Sequence, residues 1–433
     1  MAKTLNKDGY GFSRLLYIIE AALEYFVSLA VSSVYLAKLT GYLGFSDTLT
    51  GILSSFVSLG CGFQIIAIFL ANKRPVKRWV TLLHCISQVM FALLYFVPLF
   101  DFSQEIKTII FLMMLLGGHI INNIVNAPKI NWYMSLVEDK KRGRFTANKE
   151  IVSILGGMAF SYGMGAIVDH FEMIGNIKGA FIVVGITLFV LMLLHSCTLI
   201  FAKEKPTEQQ GKVSVVEEIK VLLKDRTLLK VVLISVFWNI AHYVSTPFMG
   251  TYQTKELAFT LSFASIITIV ASLCRVLCSK PLGKFADKYS FAKMLIVCFI
   301  IEAVAFGLNA FTNPSNGKVL YVIYMLLYYA GMAGINSSVI NSIYDYVDEK
   351  RRTSALALKQ TFAGFAGFFT TLLISPLVSL IQKNGNTVFG IPMYAQQLLA
   401  FISCILTVLL LIYMFTVILK IKKNEKKEEK SVE

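Results

Sequence analysis

The sequence predicts an all-α polytopic membrane protein, with about twelve transmembrane helices in two six-helix bundles related by a pseudo-two-fold axis. Three observations support this prediction. The 433 residues are 56% hydrophobic and 15% charged, which is more apolar side chain than a water-soluble core of this length can bury. The apolar residues are grouped into runs of membrane-spanning length. One charged sequence also occurs twice, at corresponding places in the two halves.

The apolar runs have the length of spanning helices, which need about 20 residues at a rise of about 1.5 Å each. The first run follows a polar start, contains Glu20 and Glu24 and has no small-residue cleavage site. We therefore expect an uncleaved span and not a signal peptide. The predicted spans are 14–38, 48–71, 79–100, 107–134, 147–168, 178–202, 229–251, 260–280, 292–311, 318–344, 355–381 and 395–420.

The positions of the basic residues predict the orientation of the spans. Of the 41 Lys and Arg residues, 33 lie in the N-terminal segment, in the loops that follow even-numbered spans, or in the C-terminal tail, and 6 lie in the opposite loops. Because basic loops stay in the cytoplasm, we expect both termini there, in a multi-pass protein of the cell membrane. This asymmetry accounts for the net charge of +15, so no nucleic-acid partner is expected.

The longest hydrophilic stretch between spans divides them into six and six. We therefore expect an N-terminal bundle at 1–202, a cytoplasmic linker at 203–228, a C-terminal bundle at 229–420 and a basic cytoplasmic tail at 421–433. From Val213 to Leu229, apolar residues recur at helical spacing with charges between them. This pattern predicts an amphipathic helix on the cytoplasmic surface.

A sequence repeat relates the two halves. VEDKKRGRFTANKE (137–150) matches VDEKRRTSALALKQ (347–360) at an offset of 210 positions. A parallel repeat of two membrane bundles is typical of transporters in which one bundle rocks against the other. Further matches are Asn126 with Asn336, Asn131 with Asn341, and LANKRPVKR (70–78) with FADKYSFAK (285–293).

These motifs resemble those of the major facilitator superfamily. GKFADKYSFAK (283–293) is similar to the family's loop signature of Gly, a small residue, Asp, a basic residue and a later basic residue. Within the superfamily, KKRGRFTANKE (140–150) and EKRRTSALALKQTFAGFAGFF (349–369) resemble the glycoside–pentoside–hexuronide cation symporters. The resemblance implies the major facilitator fold, with basic residues opening the fifth and eleventh helices at Lys149 and Lys359.

Charged residues of the cytoplasmic loops are candidates for a gate. In a rocking carrier, such loops can pair with helix ends in one state and separate in the other, although topology alone also explains basic loops. Asp287 is the clearest candidate, because it is an acid within a basic loop. The residues assigned to the gate are Asp287, Lys288, Arg142, Arg144, Lys149, Arg352 and Lys359.

Polar side chains within the spans are the candidates for substrate binding, because they are costly in hydrocarbon and usually face a cavity or one another. Trp and Tyr rings beside amides suit a solute with hydroxyl groups and a flat apolar face. Pro247 is expected to weaken the seventh span. The candidates are His119, Asn122, Asn126 and Lys129, on one face of the fourth span with Tyr133, and Trp238, Asn239, His242, Asn336 and Asn341 in the seventh and tenth.

Glu20 and Glu24 are the candidates for proton coupling. They lie one turn apart in the first span, and two carboxylates this close and removed from water can exchange a proton near neutral pH. The alternative is that one or both neutralise Lys129 as a structural ion pair. Glu302 in the ninth span is a weaker candidate for the coupling role.

No catalytic motif is present in the sequence, which contains no phosphate-binding loop, HExxH or nucleophile elbow. The seven Cys lie in apolar runs without CxxC spacing, so neither a metal site nor a disulfide framework is expected. We expect a monomeric carrier in contact with lipid, with no enzymatic activity and no cofactor. The favoured function is proton-coupled secondary transport of a sugar, glycoside or nucleoside-like solute. The alternatives are a proton-coupled exporter of drug-like amphiphiles and a non-transporting receptor on the carrier fold.

Overall fold

The chain is helical nearly throughout the computed structural model. Within the described residues, eleven helices are long and apolar enough to cross a membrane, and the count becomes twelve if Gly11–Ala30 and Ser33–Tyr42, which meet at 44°, form one bent span. The prediction of about twelve spans is therefore confirmed. The structure describes residues 9–71, 75–138, 141–205, 215–344 and 352–421.

The first half of the chain supplies six spans. Spans 1 and 2 are each built from more than one helix, whereas spans 4, 5 and 6 are single long helices. The elements are α1 (Gly11–Ala30) and α2 (Ser33–Tyr42) in span 1; α3 (Asp47–Ser54), α4 (Phe56–Gly62), a 3-10 turn (Phe63–Ile65) and α5 (Ile66–Ala71) in span 2; α6 (Val76–Leu93) and a 3-10 turn (Leu94–Leu99) in span 3; and α7 (Gln104–Met134), α8 (Arg142–Met173) and α9 (Ile177–Phe201) in spans 4 to 6.

The second half supplies the other six spans, after a short helix in the segment where an amphipathic helix was expected. The elements are α10 (Val215–Lys224); α11 (Arg226–Ser245), a 3-10 turn (Thr246–Phe248), α12 (Met249–Thr251) and a π-helical turn (Tyr252–Glu256) in span 7; α13 (Leu261–Lys288), α14 (Phe291–Asn309), α15 (Gly317–Tyr344) and α16 (Arg352–Lys383) in spans 8 to 11; a hairpin of β1 (Thr387–Val388) and β2 (Ile391–Pro392); and α17 (Ala395–Thr416) with a 3-10 turn (Ile418–Lys420) in span 12.

Two spans depart from a straight helix. Span 7 changes to a 3-10 turn at Pro247, because proline has no N–H to donate and its ring disturbs the preceding turn. The weakening expected there is confirmed. Span 1 breaks before Ser33, which adopts a left-handed backbone with φ of 48°. The sequence gives no warning of this break, because neither Pro nor Gly lies at it.

Short polar side chains start several spans. Each accepts a hydrogen bond from a backbone N–H that has no partner within the helix, and this lets a span begin directly after a short loop. The pairs are Ser46 with the N–H of Leu49 (3.1 Å), Asn176 with Gly179 (3.0 Å), and Ser290 with Lys293 (3.2 Å).

The chain forms two compact units. Unit 1 contains the first six spans together with parts of spans 7, 8 and 11. Unit 2 contains α10 and the remaining parts of the second-half spans. Unit 1 comprises Met1–Lys212, Thr246–Ile269 and Thr371–Leu380, and unit 2 comprises Val213–Ser245, Val270–Thr370 and Ile381–Glu433.

Polar contacts in unit 1 join first-half helices to the second-half segments that belong to it. The Asp169 carboxylate accepts hydrogen bonds from the backbone N–H groups of Leu261 (2.9 Å) and Ser262 (2.8 Å) at the start of α13. Lys255 forms an ion pair with Asp47. A carboxylate at a helix N-terminus is favourable because it satisfies free N–H groups and lies at the positive end of the helix dipole.

Candidate functional site

Five ionisable side chains from four helices meet inside unit 1. Glu20 and Glu24 lie on one face of α1, and Lys129 reaches both from α7. His84 on α6 and His195 on α9 complete the group. Glu20, His84 and His195 have no exposed surface, Lys129 is 1% exposed, and the Glu24 side chain is 21% exposed. We call these five residues the ionic cluster.

Lys129 lies at the centre of the ionic cluster. Its Nζ atom is 2.8 Å from Oε1 of Glu20, 2.5 Å from Oε2 of Glu24 and 3.1 Å from Nε2 of His84. An ammonium has three N–H donors and no acceptor, so these three atoms use its full donor capacity. Buried charges are stable when they are paired and hydrogen-bonded. The pairing of Lys129 with Glu20 and Glu24, considered from the sequence as an alternative, is present in the structure.

The two histidines join the cluster through their Nε2 atoms. These atoms lie 3.1 Å apart, and Nε2 of His195 is also 3.1 Å from Oε1 of Glu20. Within the described residues, Oε2 of Glu20 and the Nδ1 atoms of both histidines are buried without a hydrogen-bond partner. Buried polar atoms are usually satisfied, so the cluster retains unusual capacity to bind a further proton.

The cluster also contains residue types that can bind a metal ion. Donor atoms of Glu20, His84 and His195 lie within 4.8 Å of one another, and such side chains are common around zinc. However, the Lys129 ammonium already lies within hydrogen-bonding distance of Glu20 and His84. A divalent ion would have to displace this cation or overcome its repulsion. The geometry therefore fits an internal ion-pair cluster better than a metal centre.

An aromatic layer lies about one helical turn before Glu20 along α1. Tyr17 stacks on Tyr133 with ring centroids 4.3 Å apart, and Tyr133 stacks on Trp132 at 4.6 Å. The Nζ atom of Lys149 lies 5.3 Å from the centroid of the Tyr17 ring, a cation–π contact. All three rings belong to the buried apolar core of unit 1. This layer keeps that side of the ionic cluster in an apolar environment.

Unit 2 contains a different group, made of aromatic and uncharged polar side chains. The hydroxyl of Tyr328 lies 3.2 Å from Nδ1 of His242, and the two rings stack at 5.9 Å. Trp238 lies 5.5 Å from both the His242 ring and the Phe299 ring. The Asn239 side chain donates to a carbonyl of its own helix at 2.9 Å. We call Trp238, Asn239, His242 and Tyr328 the aromatic group.

Glu302 on α14 is a fully buried carboxyl of unit 2. It has no exposed surface, and neither of its oxygens has a hydrogen-bond partner among the described residues. It packs closely against α15, because a Cβ atom added to Gly331 would lie 2.5 Å from its Oε1 atom. Among those residues, no ion pair includes Glu302. It therefore differs from Glu20, whose charge is directly compensated by Lys129.

The other polar residues predicted in the fourth span are half-buried. The His119 ring packs against Phe91 at a centroid distance of 5.0 Å. Oδ1 of Asn122 is buried and has no partner within the described part of the chain, and Asn126 is half-buried. The side chains of Asn336 and Asn341 lie outside the described residues.

The predicted gate residues occupy several environments. Asp287 and Lys288 are exposed on the last turn of α13, and Lys288 lies over the ring of Tyr289 at 5.2 Å. The side chains of Arg144 and Arg352 lie outside the described residues. The others are Arg142, exposed at the start of α8; Lys149, half-buried on the same helix; and Lys359, buried on α16.

Sequence reasoning missed His84, His195 and Tyr328. A usable signal existed for the two histidines, because each is the only His, Lys, Arg, Asp or Glu in the interior of its span. A polar group in that position needs a partner, and Lys129 and Glu20, which also lie inside spans, were available as partners. Tyr328 gave no comparable signal among the many aromatic residues of spans 9 and 10.

Two family models match the chain. One, described as Major Facilitator Superfamily, matches residues 240–433. The other, described as MFS/sugar transport protein, matches residues 75–245. None of the curated proteins matches the sequence significantly.

Solved structures of transporters have similar folds. A mutant of the nucleoside transporter NupG is 16% identical with a TM-score of 0.73, and the alignment covers 93% of this chain and 99% of that one. A D-xylose-proton symporter is 15% identical with a TM-score of 0.71, covering 94% and 98%. The xylose transporter XylE from E. coli, in a partially occluded inward open conformation, is 15% identical with a TM-score of 0.68, covering 95% and 98%. At these identities, the similarity establishes the fold.

Proposed function

Because the chain belongs to the major facilitator superfamily, we propose that it is a secondary active transporter that moves a sugar, glycoside or nucleoside-like solute by alternating access, driven by a proton gradient. The observation that carries this proposal is the ionic cluster. It holds two carboxylates and one lysine inside a membrane bundle that has no catalytic motif.

The substrate class is supported by the aromatic group and by the proteins that share the fold. A sugar or nucleoside presents hydroxyl groups and a flat apolar face, which suit His242, Asn239 and the ring of Trp238. The structural neighbours include a nucleoside transporter and a D-xylose-proton symporter. We propose that these three residues contact the substrate, together with Asn126 and the remaining polar residues of span 4.

We assign the coupling of transport to the proton gradient to Glu24, with Glu20 assisting. Glu24 is the partly exposed carboxylate of the ionic cluster and Glu20 is the fully buried one. A proton that arrives at Glu24 weakens its pairing with Lys129, and this links protonation to the arrangement of α1 against α7.

The proposed carrier lies in the cell membrane as a lipid-embedded monomer with both termini in the cytoplasm. The distribution of Lys and Arg supports this orientation. The exposed Asp287 and Lys288 at the end of α13 then lie on the cytoplasmic face, where they and the other basic loop residues can form contacts that change between states.

The test is transport by purified protein in proteoliposomes, with radiolabelled D-xylose and uridine as probes. We expect one of them to accumulate when an inward proton gradient is imposed, and to stop accumulating when an uncoupler collapses the gradient. Accumulation that follows sodium instead, or movement only of cationic amphiphiles, would contradict the proposal.

Glu24→Gln is the decisive variant. It should abolish uphill accumulation and preserve exchange of labelled for unlabelled substrate, because exchange needs the conformational change but no net proton movement. Glu172→Gln is the matched control, since Glu172 is a half-exposed partner of Lys38 and should behave like the wild type. Undiminished accumulation by Glu24→Gln would rule out its coupling role.

A further inference from the structure

Asp169, near the end of α8, binds the first turn of α13 through both of its carboxylate oxygens. Oδ1 accepts the backbone N–H of Leu261 at 2.9 Å, and Oδ2 accepts the N–H of Ser262 at 2.8 Å together with the Ser262 hydroxyl. The first N–H groups of a helix have no partner within that helix, and a carboxylate is the favoured charge beside them. Asp169 therefore joins span 5 of the first half to span 8 of the second half.

The two spans also approach each other closely beside Asp169. A Cβ atom added to Gly165, one turn earlier on α8, would lie 3.0 Å from the carbonyl carbon of Leu261 and 3.0 Å from the backbone N atom that follows it. A turn further along, the hydroxyls of Ser161 and Ser265 lie 2.9 Å apart, and both residues are buried. A side chain at position 165 would push the two backbones apart, so Gly165 is what allows Asp169 to reach α13.

These contacts lie at one end of the spans. Because each span crosses the membrane once, all the loops that follow odd-numbered spans are on the same side. Asp169 at the end of span 5 and Leu261 at the start of span 8 are beside such loops, and so are Lys255 and Asp47, which pair span 7 with span 2. In the proposed orientation this side is the outer one. The outer ends of first-half and second-half spans are thus held together within unit 1.

We infer that Asp169 is the latch of an outer gate: it holds spans 5 and 8 together while the outer side is closed, and its hydrogen bonds to α13 break when the carrier opens outwards. Alternating access requires contacts that can be broken and formed again. A hydrogen-bonded carboxylate at a helix start meets this requirement, because water can replace each partner when the two separate. Asp169 is a positioning residue, and the inference rests on the proposed function for the orientation and the transport cycle.

The experiment measures how readily an external reagent reaches the interface that Asp169 closes. Ser265→Cys places a thiol at a buried position beside α8. Intact cells that express the full-length chain are treated with a membrane-impermeant maleimide, and the labelled peptides are quantified by mass spectrometry. The native thiol of Cys298, which is buried in unit 2, is followed in the same samples as a measure of unfolding.

Asp169→Asn in the Ser265→Cys background is the first test. The change keeps the size of the side chain but removes its charge and one acceptor oxygen, so more molecules should be open at any moment. Labelling should become about tenfold faster, the factor expected for the loss of about one charged hydrogen bond. Glu172→Gln is the matched control, because Glu172 lies one turn later on α8 but pairs with Lys38 of the same half. It should leave the labelling rate unchanged.

Gly165→Val tests the close approach of the two spans. Its side chain would meet the backbone of α13, so the gate should stay open, with fast labelling at position 265 and loss of transport. Gly163→Val is the control, because a Cβ atom added to Gly163 meets no atom within 4 Å. Equal labelling in each variant and its control would overturn the inference. Labelling of Cys298 that rises by the same factor would also overturn it, because Asp169 would then support the fold and not a gate.

These results are independent of the transport assay, since labelling needs neither a substrate nor a proton gradient. If labelling responds as expected but neither D-xylose nor uridine is transported, the proposed function fails and the latch remains. If transport is proton-driven but Asp169→Asn is labelled like its parent, the latch fails. Labelling of position 265 only in inverted vesicles would place the gate on the cytoplasmic side and refute the outer assignment.

Discussion

Unit 1 and unit 2 differ in the way their buried polar groups are stabilised. In unit 1, ionisable side chains from four helices meet, and the Glu20 and Glu24 carboxylates of α1 pair with Lys129 of α7. In unit 2, His242 and Tyr328 share a neutral hydrogen bond among aromatic rings, and Glu302 is buried without a cation beside it in the described part of the chain. The ionic cluster with its paired charges thus lies in unit 1, and the aromatic group with its neutral hydrogen bond lies in unit 2.

The difference shows that a sequence repeat does not imply repeated chemistry. At the offset of 210 positions that aligns the charged loops, Lys129 corresponds to Val339. The second half therefore has no cation at the position that organises the ionic cluster. We propose a division of labour, in which unit 1 handles the coupling proton and unit 2 supplies aromatic, uncharged contacts for the substrate in addition to those of span 4.

The largest effect is expected from Lys129→Met. The variant leaves the Glu20 and Glu24 carboxylates close together without their cation, and breaking a buried ion pair in this way costs about 3–5 kcal/mol. We expect a large fall in the thermal unfolding temperature of the purified protein, or no folded protein. Adding Glu20→Gln and Glu24→Gln to Lys129→Met should recover much of the loss, because no uncompensated charge then remains.

Lys255→Met is the matched control for that experiment. Lys255 also pairs with a carboxylate of unit 1, Asp47, but its side chain is 40% exposed. Asp47 itself is buried, but the Lys255 ammonium stays partly hydrated, so we expect its loss to cost less than the loss of the fully buried Lys129. Equal destabilisation by Lys129→Met and Lys255→Met would show that the ionic cluster is not the charge-compensated centre described here.

An intermediate effect is expected at the buried carboxyl of unit 2. In Gly331→Ala, the new methyl group would lie 2.5 Å from Oε1 and 2.8 Å from Cγ of Glu302. Overpacking of this kind costs about 1–3 kcal/mol. Glu302→Gln preserves the size of the side chain and has no cation to lose among the described residues, so it should cost less than Gly331→Ala in thermal unfolding.

Gly307→Ala serves as the control for helix glycines in the same unit. Its added Cβ atom would meet only Sγ of Cys404, at 3.6 Å, an ordinary contact distance. We expect no loss of stability, since Ala is the better helix former. If Glu302→Gln were as harmful as Lys129→Met, Glu302 would have to be a compensated charge, and the contrast between the units would disappear.

The sequence predicted the fold well and the candidate site in part. The length and hydropathy of the apolar runs predicted the number of spans. The polar residues spaced along the fourth span, Lys129 among them, predicted a polar helix face. Both signals are local in the sequence. The ionic cluster depends on contacts between residues such as Glu20 and His195, which are 175 positions apart. Spacing along one helix cannot specify which helices meet. The break before Ser33 was also hidden, because no residue type marks it.

The smallest effect on stability is expected from Tyr328→Phe. This change removes only the hydroxyl that bonds Nδ1 of His242 at 3.2 Å, and a neutral hydrogen bond contributes about 0.5–1.5 kcal/mol. The ring stack with His242 remains. If unit 2 supplies substrate contacts, His242 without this hydrogen bond is less well oriented for the solute, and the half-saturating substrate concentration for transport should rise. No member of the ionic cluster is altered, so the dependence of accumulation on the proton gradient should stay as in the wild type. Glu24→Gln should instead lose this dependence and keep the half-saturating concentration of the wild type. The measurement is transport rate against substrate concentration at two imposed pH gradients. A Tyr328→Phe variant with unchanged half-saturation but altered proton dependence would show that coupling extends into unit 2 and that the two functions are not divided between the units.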